Sequence, residues 1–60
     1  MQNYDWCDEY IKKAQHKMDV NSFDNALNYL NEAEKLDELN HEIYEKKGIC
    51  YFLKVWIIFF

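Results

Sequence analysis

Phe23, Ala26, Leu30 and Ala33 recur at spacings of three and four. That period puts them on one stripe of an α-helix. Two of the four are alanines, so a neighbouring backbone can come close. Leucine in place of Ala26 is expected to overpack the contact and cost about 1–3 kcal/mol, measured by urea unfolding. Leu27 and Leu36 widen the stripe, and the asparagines, Glu32, Glu34 and Lys35 take the water face. Ser22 is placed to cap this helix, and Asp24 suits the positive end of its dipole. The spacing predicts a helix over 23–37.

The flanks read the same way. Cys7, Tyr10, Ile11, Ala14 and Met18 share a face, which predicts a helix over 4–19 capped by Asn3 or Asp5. Val20 and Asn21 make the turn, since asparagine tolerates the left-handed conformation that ends helices. Two helices joined so tightly lie antiparallel. Asn40 caps a third helix over 41–56, whose apolar or small positions are Ile43, Tyr44, Gly48, Tyr51 and Val55. A mid-helix glycine costs about 1 kcal/mol relative to alanine, so Gly48 is read as a mark of tight packing. One glycine and no proline in 60 residues leave little for a turn-rich β-fold. The expected fold is all-α, a single small helical domain over 1–60 with an apolar tail at 55–60.

A chain this short buries only about 60% of the surface its unfolded form exposes, so stability is marginal. The net charge is −4, with eleven acidic residues against seven basic ones. No arginine is present, and clustered cations for phosphate contacts are missing, so nucleic acid is not an expected partner. No basic stretch precedes an apolar run near the start, so a signal peptide is not expected. The expected setting is cytoplasmic, with Cys7 and Cys50 as free thiols. From Ile49 onward the twelve residues are all apolar except Lys54. That is short of the roughly 20 a transmembrane helix needs, yet too apolar all round for a solvated helix. Phe52, Val55, Trp56, Phe59 and Phe60 are therefore candidate interface residues.

Tyr10 and Ala14 stand 34 positions before Tyr44 and Gly48. With Phe23, Ala26, Leu30 and Ala33 between them, and Tyr51 after, this spacing resembles the tetratricopeptide repeat. Tyr10 and Ala14 then match one opening helix, the alanine stripe matches the closing helix, and Tyr44, Gly48 and Tyr51 match the next opening helix. Lys13 and Lys47 stand where that family has leucine, Lys17 where it has tyrosine, and Glu38 where it has proline. The resemblance covers about residues 7–54, or one and a half repeats. It implies a right-handed stack of helical hairpins and a role in protein binding. Glu9–Ala14 with Phe23–Ala33 is also similar to the first helices of microtubule-interacting-and-trafficking domains. The same stretch is similar to the amino-terminal hairpin of endoplasmic-reticulum J-domain co-chaperones. The J-domain tripeptide His-Pro-Asp is absent, so that activity is not implied.

Some family members clamp a carboxy-terminal peptide with lysine and asparagine. Ile11 and Gln15 follow Tyr10 here, and Glu45 and Ile49 follow Tyr44, so that clamp is not expected. Cys7, His16, His41 and Cys50 are metal-ligand types, but each Cys–His pair is nine apart, on opposite sides of its helix. No metal, cofactor or catalytic residue is expected. A Cys7–Cys50 disulfide would need Cα atoms within about 7 Å, which the repeat geometry does not favour. The packing set is Tyr10, Ala14, Phe23, Ala26, Leu30, Ala33, Tyr44, Gly48 and Tyr51. The expected function is a non-enzymatic interaction or scaffolding module that binds a partner helix or peptide or self-associates as a homo-oligomer. The alternatives are a trafficking-type three-helix domain, or a membrane-peripheral protein inserting residues 49–60.

Overall fold

The structure is a computed structural model that describes residues 3–59, with side chains from Trp6 onward. It contains three helices: α1 (Asn3–Asp19), α2 (Phe23–Leu36) and α3 (His41–Phe59). The fold is all-α, with no strand among the described residues. Capping of α1 by Asn3 or Asp5, and the place of Phe60, lie outside what is described.

The α1–α2 turn is closed by backbone geometry. Asn21 has φ 64°, the left-handed conformation. The Ser22 amide donates to the Lys17 carbonyl at 2.8 Å, and the Asn21 amide to that of Met18 at 3.0 Å. This is the Schellman pattern with asparagine at its left-handed position. Ser22 differs from expectation: it precedes α2, but its hydroxyl makes no capping hydrogen bond. Its ψ of 68° lies below the extended values that aim a capping oxygen at the first-turn amides. Asn40 does cap α3, its Oδ1 accepting from the Glu42 amide at 2.9 Å. The Tyr44 hydroxyl donates to the Glu38 carbonyl at 2.6 Å and ties the second turn down.

The hairpin core joins Cys7, Ile11 and Ala14 of α1 to Phe23, Ala26, Leu27, Leu30 and Ala33 of α2. Ala14, Ala26 and Ala33 are wholly buried, so these helices meet through small side chains. Tyr10 is half-buried, and its ring stacks on Tyr29 at 6.3 Å between centroids. Beyond it, the Lys13 ammonium sits 6.0 Å from the Tyr29 ring centre.

The third helix packs on α2 rather than between both partners, and its contact is the smaller one. Lys47 pairs with Glu34 at 2.7 Å, and Lys54 pairs with Asp24. Rising numbers on α3 meet falling numbers on α2, so the two run antiparallel. One polar tie crosses to α1, from Lys46 Nζ to Gln15 Oε1 at 2.6 Å. By Lys54, α3 has reached the first turn of α2, and its last turn runs on past it. The molecule is correspondingly elongated, 43 × 20 × 13 Å.

Two expectations about this helix need correction. The helix does not end at 56 as expected, because α3 continues through Phe59 and takes in the apolar residues 55–59. Nothing in Val55-Trp56-Ile57-Ile58 breaks a helix, and the β-branched residues cost only a fraction of a kcal/mol each. The inward face also differs. Ile43 and Cys50 are buried and Leu53 is half-buried, whereas Tyr44, Gly48 and Tyr51 are exposed. Tyr44 and Tyr51 lie roughly a third of a turn round the helix from Ile43 and Cys50, and Gly48 nearly half a turn. Tyr10 and Ala14, their counterparts on α1, are covered by the helix that follows. No described helix follows α3.

Candidate functional site

Folding leaves α3 with an apolar surface turned away from α2. Along its outer line, Gly48, Phe52, Val55 and Phe59 follow the alternating four-three spacing of a helix–helix seam. Tyr44, Tyr51 and Ile58, seven apart, flank it on one side, and Ile49 and Trp56 flank it on the other. Exposure along this surface runs from 46% at Tyr44 to 78% at Phe59. Between Gly48 and Phe59 the one charged residue is Lys54, which points back to Asp24. The Lys54 ammonium donates to that carboxylate, and this hydrogen bond raises the Lys54 pKa. The apolar surface therefore carries no charge of its own until Glu45 and Glu42 at its start. Val20 and Leu39 are exposed singly, at the two turns, and isolated apolar residues of this kind are ordinary.

Gly48 is the small position in this surface. A Cβ added there would meet nothing within 4 Å. The tight packing expected of it is thus not made inside the chain. Gly48→Ala is expected to raise stability by about 1 kcal/mol, a gain of roughly 4–8 °C in Tm for a domain this small. Thermal melts in dilute solution check this, and a lower Tm would mean that the space is filled.

The remaining candidate groups are scattered. Cys7 and Cys50 are buried and free, while His16 and His41 are exposed. Among the described residues no three His, Cys, Asp or Glu side chains gather where they could hold a metal ion. Among the described residues, open hollows indent the surface, two of them of about 310 Å³ each. One is lined by Phe23, Asp24, Lys54, Ile57 and Ile58 beside the hairpin turn, the other by Asn31, Glu34, Lys35, Glu38 and Lys47. In the second, Lys47 Nζ donates to Glu34 Oε1 at 2.7 Å, and this hydrogen bond raises the Lys47 pKa.

Burial pushes both thiols up, with Asp37, Asp8 and Glu42 adding to the effect at Cys7 and Lys46 opposing it at Cys50. The Cys7 thiol also faces the Ala33 carbonyl at 3.7 Å. Both groups should label with iodoacetamide only as fast as the fold opens, and at the free-thiol rate in denaturant. Their linkage has a definite sign. With folded values above unfolded ones, the stability tied to the neutral thiols is full below the ordinary thiol range. It is lost as pH rises through the folded values. Rapid labelling of the folded chain at neutral pH would show that one thiol is not enclosed.

Compared with known proteins, the chain matches no family model, no curated protein and no solved structure.

Sequence reasoning placed the buried stripe of α2 and the α1 residues against it. It missed Cys50 and Leu53 as inward residues of α3. The available signal was the seven-residue step from Ile43 to Cys50, which repeats one helical direction after two turns. No helix among the described residues is long and apolar enough to cross a membrane.

Proposed function

We propose that the chain is a non-enzymatic protein-interaction module of tetratricopeptide-like type, which works by offering the outer face of α3 to another helix. The observation that carries this reading is the uncharged stretch of that face from Gly48 to Phe59. Large exposed apolar surfaces on small soluble chains mark contact sites. The 34-residue spacing supports the choice of a helix as ligand, since α2 already covers the corresponding side of α1. Buried free thiols suit a cytoplasmic setting.

A second reading is membrane-peripheral, favoured by one observation: Val55–Phe59 run past the Lys54–Asp24 pair with their side chains exposed. Against it, the last turn of α3 has no basic residue to meet lipid headgroups.

The test uses two probes, a synthetic peptide of residues 22–37 and vesicles of neutral lipid. Saturable peptide binding that is lost in Val55→Glu, without co-flotation on vesicles, is the expected result. Co-flotation without peptide binding would replace the interaction reading with the membrane one.

A further inference from the structure

The outer face of α3 is self-complementary, and we infer that its occupant is a second copy of this chain, with the two α3 helices antiparallel and residues 48–59 overlaid on themselves. This rests on the helix-docking reading above and goes further in naming the partner, the direction and the register.

Area is the first argument. Setting aside Ile57, which lines the hollow beside Asp24, eight large apolar side chains of α3 are about half exposed or more. An aromatic side chain alone carries roughly 150–250 Å², so the eight together leave on the order of 1,000 Å² bare. The largest apolar patch on a typical monomer is about 300–600 Å². A standard interface takes about 800 Å² from each partner. The face is therefore large enough for a stable pair and larger than an unpartnered chain ordinarily shows.

Charge sets the direction. In a parallel pair, Glu42 and Glu45 would each face their own copies, and the two helix dipoles would align. Two bodies of net charge −4 would also lie side by side. The antiparallel pair opposes the dipoles and separates the acidic starts of the helices. Overlaying 48–59 on itself sets Glu42 and Glu45 outside the apolar overlap at both ends. Any register shifted toward the start of α3 brings Glu45 onto a buried apolar face.

Shape agrees with that register. Phe52 packs beside the second copy's Val55, and Gly48 lies beneath its Phe59. The seam thus sets its smallest position under its most exposed ring, twice by symmetry. The chain has left that room: no atom stands within 4 Å of a Cβ built on Gly48. In α1 the corresponding position is Ala14, which is wholly covered by α2. On α3, Gly48 gives a second copy the close approach that α2 has to α1.

The test begins with sedimentation equilibrium of the full chain. Wild type is expected at twice the 7.4 kDa chain mass, and Val55→Glu is expected to weaken association by roughly 100-fold or more, as for a charge left unpaired in a buried contact. Register is read by disulfide formation in a mixture of Gly48→Cys and Phe59→Cys, one of them isotope-labelled. Mixed disulfide dimers, with neither variant linking to itself, are expected, and buried Cys7 and Cys50 should leave wild type unlinked. Self-linking of either variant alone would overturn the antiparallel register. A monomeric wild type would overturn the second copy as occupant. In that event, binding of the 22–37 peptide would leave the helix-docking reading standing, and its absence would remove both.

Discussion

Replacing Leu30 with alanine is expected to remove much of the chain's stability. Leu30 is a wholly buried leucine at the centre of α2. Removing its outer carbons loses their transfer energy and opens a cavity, which together cost about 2–5 kcal/mol. A domain of this size has about 3–9 kcal/mol in all, at roughly 0.05–0.15 kcal/mol per residue. The substitution therefore removes between about a fifth and the whole of the stability. Circular dichroism with urea titration should show a much earlier transition, or none. An unchanged midpoint would mean that α2 is not the helix on which the others pack.

Ile43→Ala is expected to release α3 while sparing the hairpin. Ile43 and Cys50 are the only residues of α3 that are fully enclosed, and the α2–α3 contact is smaller than that between α1 and α2. The loss is again about 2–5 kcal/mol, but it falls on one docking surface. The polar ties from Lys47 and Lys54 to α2 are surface pairs, worth about 0–1 kcal/mol each, and cannot make it up. Hydrogen exchange, measured in a Val55→Glu background to keep the chain monomeric, should rise across 41–59 and hold across 6–36. Equal loss in all three helices would mean that the molecule unfolds as one unit.

The hairpin was legible because its signals agree. The alanine stripe, the left-handed asparagine at 21 and the short turn all point to the same antiparallel pair, and consistent local signals specify structure well. The setting of α3 was not legible, for a physical reason. From Ile49 onward this helix is apolar on every side, so a 3.6-residue period cannot select the buried face. The resemblance selected Tyr44, Gly48 and Tyr51. In the structure α2 takes the neighbouring face instead, through Ile43, Cys50 and Leu53. In the proposed pairing, the side bearing Tyr44, Gly48 and Tyr51 would take a separate helix, while α2 holds the other. The end of α3 was misread for a related reason. A run of apolar residues shows no amphipathic period, but it also contains nothing to stop a helix.

The rotation of α3 decides all of this, and solvent paramagnetic relaxation measures it most directly. With a soluble gadolinium chelate and the Val55→Glu monomer, side-chain signals of Tyr51, Phe52 and Phe59 should broaden strongly, while those of Ile43 and Leu53 should persist. Protected Tyr44 and Tyr51 beside a broadened Ile43 would contradict the placement of that helix, and with it the docking face.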